Sequence, residues 1–291
     1  MLDIGSGSGL WAIAAAKLGA ARVVAIEQEA LLIGLIKALA IDNGVADRIE
    51  VIEGEARQVQ VDGKFDVVIS ETIGHVIFDE QVVPIMIDAR ERFLKPGGVL
   101  IPGAVTLMAA PAHFDPGYQS LPSGIHGRFD CFEDLARNIP IALCDKRPVQ
   151  LLCDAQPLAH VDLTSAVDGP DLNQLIARWQ LSDVSRVNCI FVWVEAELAP
   201  GVRLTTMETP SWSGTVYRLK PFDHPSGELE FRLAMDSATN HWQVNLVDGE
   251  LELSRSYSPA RAGAELLGLA RMGPVDFRHL KATGQLNLQF I

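Results

Sequence analysis

The stretch Leu2-Asp3-Ile4-Gly5-Ser6-Gly7-Ser8-Gly9 determines the architecture of the first part of the chain, because a short apolar segment here runs into alternating glycines. An alanine-rich segment from Leu10 to Leu18 follows and stops at Gly19, which predicts a helix directly after the glycines. Glycine lets the backbone approach a ligand closely, and the helix offers the free N–H groups of its first turn. The stretch therefore predicts a strand, a ligand-binding turn and a helix.

A second apolar segment, Arg22 to Ile26, predicts the next strand and ends at Glu27. This acidic residue follows the glycines by about twenty residues, the distance at which a carboxylate can bind ribose hydroxyls. Dinucleotide sites share this arrangement, but dehydrogenases tend to show G-x-G-x-x-G. This chain instead has G-x-G-x-G with Asp3 two places before it. The spacing therefore differs from that of a dehydrogenase.

The acidic residue and the glycines resemble motif I of the class I S-adenosylmethionine-dependent methyltransferases. The resemblance implies a Rossmann-like domain with S-adenosyl-L-methionine as its cofactor, and we prefer it to a dehydrogenase or a purely structural turn. It also implies adenine contacts after the third strand, Ile49 to Ile52, although Arg57 stands where the family commonly has an acidic residue. The expected cofactor-binding residues are Asp3, Gly5, Ser6, Gly7, Gly9, Glu27, Glu55 and Ala56.

Strands and helices alternate through the first third of the chain. Such alternation requires right-handed crossovers and gives an α/β fold with a doubly wound parallel sheet. The further elements predicted here are helices at Leu31 to Asp42 and Val82 to Leu94, and strands at Phe65 to Ile69 and Val99 to Ile101.

The loop Ser70-Glu71-Thr72-Ile73-Gly74-His75-Val76-Ile77-Phe78-Asp79-Glu80 lies between the fourth predicted strand and the third predicted helix. A loop of this kind sits at the carboxyl edge of a parallel sheet, where open α/β folds bind ligands. Glu71 and Glu80 can face one cavity there, and two close carboxylates are costly unless a cation lies between them. A guanidinium fits best, because its planar fork can pair with carboxylates on two sides. A solvated acidic loop is the simpler interpretation of the glutamates alone.

The same loop resembles the double-glutamate loop of the protein arginine methyltransferases, Ser-Glu-x-Met-Gly-x-x-Leu-x-x-Glu. The resemblance implies methyl transfer to a guanidinium nitrogen of arginine in a protein or peptide, with Glu71 and Glu80 as catalytic residues. The glutamates alone do not distinguish peptide arginine from a small guanidino or amino compound. The residues in register are Ser70, Glu71, Gly74 and Glu80, while Ile73 and Ile77 replace methionine and leucine.

The segment Thr239-Asn240-His241-Trp242 resembles the family's Thr-His-Trp loop, and we expect it to precede a strand. The resemblance implies that His241 lies near the glutamates and orients them or carries a proton. A lone histidine is more often a hydrogen-bonded structural residue. His75, inside the acidic loop, is the competing candidate for the same role.

After Pro102 the alternation gives way to short segments with period-two patterning, which predict an antiparallel barrel or sandwich. The family resemblance implies a β-barrel as well, so we expect a cofactor domain at 1–103 and a barrel domain at 104–291. It further implies a dimerisation arm at about 120–147 and a homodimer. The predicted strands are Val187 to Leu198, Gly227 to Met235, Trp242 to Val247, Glu250 to Ser256 and Gln285 to Ile291.

Composition limits the partners and the location. The chain has 291 residues and a formal net charge of −13, which argues against nucleic-acid binding and favours cationic partners. No apolar run is long enough to span a bilayer, so no membrane partner is expected, and no signal peptide precedes the first strand. The four cysteines lack C-x-x-C spacing, so no metal site is indicated, and we expect buried thiols in a reducing cytoplasm.

The chain begins inside its first predicted strand, whereas the resembled family has helices before motif I. Met1 stands where the family usually has valine, so we expect the true start to lie upstream. For a chain that is truly this short, a non-catalytic, dimeric binding module becomes the alternative function.

Overall fold

The computed structural model of the chain describes residues 1–115, 135, 137–235 and 240–259. Its first part is a parallel sheet of five strands in the order β3-β2-β1-β4-β5, which confirms the predicted doubly wound arrangement. The strands are β1 (Leu2–Ile4), β2 (Val23–Glu27), β3 (Ile49–Glu53), β4 (Phe65–Ser70) and β5 (Leu94–Ile101), and the helices are α1 (Leu10–Lys17), α2 (Ala30–Asp42) and α3 (Val82–Phe93).

The strand order reverses between β1 and β4, which are neighbours in the sheet. Leu2 pairs with Val68 and Ile4 with Ser70, so both strands end at the same edge. The glycine turn after β1 and the acidic loop after β4 therefore emerge side by side. In open α/β sheets this switch point is where ligands bind.

The second part consists of antiparallel strands in two sheets, which confirms the predicted change of fold class. One sheet has the order β7-β13-β11-β6-β8, with β12 paired to β11 and β9 to β6, and the other has the order β10-β14-β15-β16. The strands are β6 (Ala104–Phe114), β7 (Ile141–Leu143), β8 (Val149–Leu151), β9 (Gln156–Asp162), β10 (Leu175–Leu181), β11 (Cys189–Ala199), β12 (Val202–Thr205), β13 (Gly214–Arg218), β14 (Gly227–Met235), β15 (Asn240–Asp248) and β16 (Leu251–Tyr257).

Two sequence predictions fall on residues that the structure does not describe. The predicted strand Gln285 to Ile291 lies outside the described residues, and so do residues 120–134 and 136 of the predicted arm. Within the range predicted for the arm, β7 is described and pairs with β13. The dimerisation role of this segment stays a prediction.

Helix α3 joins the two parts of the molecule. Its buried face packs into one apolar core that also contains side chains of the parallel sheet and of both antiparallel sheets. On its other side, Arg90 donates hydrogen bonds to the carbonyl oxygens of Leu163 and Ala166 at 2.7 and 2.6 Å. The helix that follows the acidic loop is therefore fixed to the antiparallel part.

The helices and the cysteines of the described residues bear on two further predictions from the sequence. In the described part of the chain, no helix has both the length and the apolar character to cross a membrane. Cys189 is buried, as expected, whereas Cys153 is only half-buried and Cys131 lies outside the described residues. Cys144 is exposed, so the prediction of buried cysteines is wrong for this residue, which follows the edge strand β7.

Candidate active site

The glycine turn packs directly against the acidic loop. Gly5 has a φ angle of 68°, which favours glycine, and a Cβ atom there would lie 2.8 Å from Cγ2 of Thr72. The loop is also tied to β1, since the Ser70 hydroxyl donates to the carbonyl oxygen of Ile4 at 3.0 Å. The predicted methyl-donor site and the predicted acceptor site are therefore neighbours.

Asp3 is almost fully buried beside the glycine turn, with 1% of its surface exposed. Burial raises the pKa of its carboxyl group to about 6, and a hydrogen bond from Ser6 opposes this rise. Its Oδ2 atom has no hydrogen-bond partner among the described residues. A buried acceptor without a partner is costly, and a cofactor that supplies an N–H or O–H donor would satisfy it.

Glu27 lies at the end of β2 with its carboxylate held by backbone groups. It accepts hydrogen bonds from the N–H groups of Gly7 and Gln28 at 2.8 Å and of Glu29 at 3.0 Å. The contact to Gly7 places the carboxylate against the glycine turn. These three bonds use three of the about four lone-pair positions of a carboxylate, so one position remains for a ribose hydroxyl, as the predicted role requires.

Glu55 and Ala56 follow β3 at the same edge of the sheet, where adenine contacts are expected. The Glu55 carboxylate pairs with Nε of Arg57 at 3.0 Å, and the carbonyl oxygen of Ala56 accepts from Arg92 at 2.7 Å. Arg57 stands where the family commonly has an acidic residue, and it pairs with Glu55, which is one of the predicted adenine contacts. The adenine contacts themselves stay a prediction.

Buried apolar side chains anchor the acidic loop. Ile73, Val76 and Ile77 have at most 5% of their surface exposed. Ile77 has a φ angle of 70°, a conformation that costs a β-branched residue about 1–3 kcal/mol and persists only where packing enforces it. The apolar residues therefore hold the loop while Glu71 and Glu80 remain exposed.

Asp79 braces the same loop from within. Its carboxylate accepts hydrogen bonds from the N–H groups of His75, at 3.0–3.1 Å, and Val76, at 3.3 Å. Gly74 has a φ angle of 65°, and a Cβ atom there would clash with the Asp79 carboxylate. The glycine of the motif is thus required by a close approach within the loop.

The two glutamates influence each other electrostatically. Partial burial raises the pKa of Glu71, and the negative charge of Glu80 raises it further. Partial burial also raises the pKa of Glu80, as does the charge of Asp79, while His75 lowers it. A cation between the two carboxylates would relieve this repulsion.

Trp212 contacts the acidic loop from the antiparallel part, and the sequence did not predict it. Its indole is half-buried and lies near Glu71, where it lowers the pKa of that carboxyl group. Trp212 lies in the turn at 206–213, between β12 and β13. A tryptophan just before a strand is the only sequence signal, and it does not name a partner.

His241 lies within β15, opposite Ala234, so its predicted position in a loop before the strand is wrong. The period-two pattern of the strand buries Trp242 and leaves His241 exposed. Its predicted role beside the glutamates stays a prediction. The competing candidate, His75, lies in the acidic loop with Nδ1 at 3.3 Å from Oδ2 of Asp79.

Tyr217 links β15 to the acidic loop. The Asn240 side chain lies 3.5 Å from the Tyr217 hydroxyl. Complete burial raises the pKa of Tyr217, and the negative charge of Asp79 raises it further. The start of β15 therefore lies beside Tyr217, whose pKa responds to the charge of Asp79 in the acidic loop.

Comparison with known proteins assigns the first part of the chain. Residues 1–98 match the family model described as "Methyltransferase domain". A "Probable protein arginine N-methyltransferase 6" of Arabidopsis thaliana is 26% identical over 266 residues, which cover 85% of this chain and 61% of that protein. An "Arginine N(omega)-methyltransferase" of Streptomyces achromogenes subsp. streptozoticus is 30% identical over 233 residues, which cover 77% of this chain and 64% of that protein. The chain thus spans less than two thirds of the length of these two relatives.

The fold of both parts is also found together in solved structures. The "Trypanosoma brucei PRMT1 enzyme-prozyme heterotetrameric complex with AdoHcy" aligns with a TM-score of 0.71 and 22% identity, covering 88% of this chain and 87% of that chain. The parallel sheet, the glycine turn and the family match define a methyltransferase domain followed by an antiparallel, barrel-like part. Over most of its length the chain is similar in sequence to proteins named arginine N-methyltransferases.

Proposed function

We propose that this protein transfers a methyl group from S-adenosyl-L-methionine to a guanidinium nitrogen of arginine in a protein or peptide. The observation that carries the proposal is the pair of mutually repelling carboxylates, Glu71 and Glu80, on a loop that packs against the glycine turn. The names of the relatives support the same reaction. We also propose 1–103 and 104–291 as the cofactor and substrate domains.

The residues beside the glycine turn fit the cofactor. The expected contacts are a donor of the cofactor to Asp3, the ribose hydroxyls to Glu27, and the backbone of Gly5 and Gly7 close to the ligand. When bound, the cofactor supplies a methyl group on a sulfonium, an electrophile that needs no activation by a metal. The chain's own task is to place the acceptor nitrogen in line with that methyl group.

Glu71 and Glu80 would bind the guanidinium nitrogens that do not react. The delocalised lone pairs make a protonated arginine a poor nucleophile, and carboxylates that hold the other nitrogens keep positive charge away from the attacking one. A bound guanidinium also favours the ionised form of both acids, whose pKa values are raised without it. After transfer the product loses a proton, for which Glu71, or a route through His241, is the acceptor.

The test is mass spectrometry of arginine-containing peptides, histone tails and free arginine after incubation with S-adenosyl-L-methionine. We expect a gain of one or more methyl masses on arginine of the peptides, and no gain with Glu71→Gln. Equal transfer by Glu71→Gln would overturn the roles given to the glutamates. If the wild type binds no cofactor and transfers no methyl group, the non-catalytic binding module replaces the enzyme.

A small guanidino compound is the second candidate substrate. It is favoured by the Streptomyces relative, which is 30% identical and whose name specifies arginine rather than a protein. The same experiment separates the two candidates, because methylation of free arginine with none on the peptides would select the second. Product symmetry is read from the fragmentation of the methylated arginine.

We further propose a homodimer, a state supported by the oligomeric assembly named for the Trypanosoma brucei neighbour. Light scattering at micromolar concentration should give twice the mass of the chain, and the mass of one chain would contradict the proposal. The cytoplasmic location, which rests on the scattered cysteines, is part of the same proposal.

A further inference from the structure

A cavity of about 490 Å³ lies between helix α3 and the connection from β9 to β10. Its volume is in the range of sites that bind ligands, about 300–1,000 Å³. One end is lined by Phe78 and Gln81, which lie on either side of Glu80 in the chain. The cavity therefore adjoins the loop that carries one of the two proposed guanidinium-binding acids.

The cavity follows one face of α3. Pro84, Ile87 and Glu91 line it, and positions three and four residues apart lie above one another on a helix. With a rise of about 1.5 Å per residue, these positions span about 10 Å. An extended polypeptide advances about 3.3 Å per residue, so the cavity has room for about three residues of such a chain.

Hydrogen bonds hold the opposite wall of the cavity, residues 167–172, in place. Directly before this wall, Arg90 of α3 donates to the carbonyl oxygen of Ala166 at 2.6 Å. At its other end, the N–H of Met235 donates to the carbonyl oxygen of Leu172 at 2.9 Å. A ligand thus meets a preformed cavity and does not have to order the wall on binding.

The lining exposes apolar surface that a ligand would cover. Val167 has 87% of its surface exposed, and Phe78 and Ile87 are half-buried. Covering these side chains with an apolar group stabilises a complex in proportion to the area removed from water. The cavity therefore suits a ligand with at least one apolar side chain.

Gln81 has an unusual backbone conformation at the end of the cavity next to Glu80. Its φ angle is 62°, which is uncommon for residues other than glycine, and its side chain does not cap α3. Residues in such conformations cluster at active sites and ligand contacts. The Gln81 amide carries both a donor and an acceptor, which is what a peptide backbone requires.

The charges of the lining are negative. Its acids are Asp88, Glu91 and Asp168, and no lysine or arginine is among the described residues that line the cavity. Arg92 neutralises Asp88 by donating to both of its carboxylate oxygens at 2.6–3.0 Å. The exposed Glu91 lies 3.8 Å from Arg90, beyond hydrogen-bond distance, and Asp168 is exposed. The carboxylates of Glu91 and Asp168 therefore remain for a cationic ligand.

We propose that this cavity binds the polypeptide that flanks the target arginine of the substrate. An apolar side chain of the flank packs against Phe78 and Val167, and a lysine or arginine pairs with Glu91 and Asp168. From Gln81 to Glu91 the helix advances about 15 Å, so the cationic residue lies about four residues of extended chain from the target arginine. The inference rests on the proposed function and selects a peptide rather than free arginine as the substrate.

Two pairs of peptides test the cationic residue. Each peptide has one arginine and one leucine among glycine and serine, and the members of a pair differ only in lysine or serine at about four residues from the arginine. The variable position is N-terminal to the arginine in one pair and C-terminal in the other. For one side we expect kcat/KM to be about tenfold higher with lysine, through KM, because each carboxylate contributes about threefold. Equal kcat/KM for lysine and serine on both sides overturns the proposal.

Variants of the two carboxylates assign this preference to the cavity. With Asp168→Asn or Glu91→Gln alone, the preference for lysine should fall to about threefold, and with both it should disappear. Glu228→Gln is the matched control, because Glu228 is an exposed carboxylate on β14 that does not line the cavity. It should keep the preference of about tenfold. An equal loss in the control and the double variant would reflect general attraction to an acidic protein and would overturn the proposal.

Gly169→Leu tests the cavity itself. A Cβ atom at Gly169 would lie 3.7 Å from Cγ1 of Val83, an ordinary contact, so alanine fits there and leucine extends further into the space. Gly169→Leu should raise KM for the preferred peptide about tenfold, and Gly169→Ala by less than about threefold. Equal KM values for these two variants and the wild type contradict the proposal. If thermal unfolding shows that Gly169→Leu does not fold, the variants of the exposed carboxylates decide.

Binding without turnover separates this inference from the proposed function. Fluorescence anisotropy of the labelled lysine peptide needs no methyl transfer, so it can be measured even if the wild type is inactive. Weaker binding by about tenfold in the double carboxylate variant supports the inference, and equal or absent binding overturns it. A wild type that methylates free arginine but does not bind the peptide keeps the enzyme and overturns only this inference.

Discussion

Glu27 ends β2 and Glu71 follows β4, on the two sides of β1 in the parallel sheet, but the environments of their carboxylates differ. Glu27 accepts three hydrogen bonds from backbone N–H groups within the cofactor part. The pKa of Glu71 is raised by partial burial and by the charge of Glu80, and Trp212 of the antiparallel part lowers it. The cofactor side is thus organised by local backbone geometry, whereas the acceptor side depends on the second half of the chain and on a cation.

The sharpest test of this contrast is the pair Glu71→Gln and Glu27→Gln. Glu71→Gln should reduce turnover about a thousandfold with unchanged cofactor affinity, because it removes a charge needed beside the reacting guanidinium. Glu27→Gln should instead weaken cofactor binding at least about tenfold, since its amide would direct N–H groups at backbone donors. Calorimetric titration of the cofactor and steady-state kinetics measure the two effects. Reversed effects would mean that the two carboxylates have exchanged roles.

Asp3 makes a prediction about the stability of the cofactor side. Its folded pKa of about 6 lies above the ordinary value of 3.8, so between these pH values the folded state binds more protons than the unfolded state. Stability from this group is therefore lost as pH rises from about 4 to 7, by roughly 3 kcal/mol relative to Asp3→Asn.

Urea unfolding of wild type and Asp3→Asn across this pH range, without cofactor, measures the difference. The comparison cancels the other titrating carboxylates, including Asp66 and Asp145, whose pKa values are lowered by lysine and arginine partners. If the difference in unfolding free energy between wild type and Asp3→Asn stays constant with pH, the pKa of Asp3 is not raised in the folded state.

Trp212→Phe should give a smaller effect, confined to the acceptor side. Phenylalanine keeps the ring packing but removes the N–H donor, so the pKa of Glu71 rises further and the acid limb of kcat moves to higher pH. Near pH 6 we expect kcat to fall about fivefold, with cofactor affinity unchanged. Equal loss at all pH values would indicate that the indole acts on substrate binding rather than on Glu71.

The sequence was sufficient to predict the parts of the fold that rest on local periodicity. The alternation of buried and exposed residues in β14, Gly227–Met235, gave the same bounds in sequence and structure. The glycine spacing and the position of Glu27 predict a cofactor edge, because both act within short distances along the chain. Glu71 and Glu80 could be proposed as a cation-binding pair because two carboxylates on one loop are a local pattern.

Contacts between turns that are distant in sequence cannot be predicted from local periodicity or spacing. The approach of Trp212 to Glu71 depends on how the two parts of the chain pack, and local periodicity does not predict it. His241 was placed in a loop because its neighbours resemble a loop motif. The same residues also continue the alternation of buried and exposed side chains in β15, with Trp242 buried. In the structure they form part of the strand.

The two carbonyl contacts of Arg90 bear on how this protein could be recombined. They tie the helix that follows the acidic loop to residues 163–166, and the apolar core runs through the same boundary. An antiparallel half taken from a relative would therefore work only if it brought a matching backbone segment for this arginine. Evolution or engineering would have to change the two halves together.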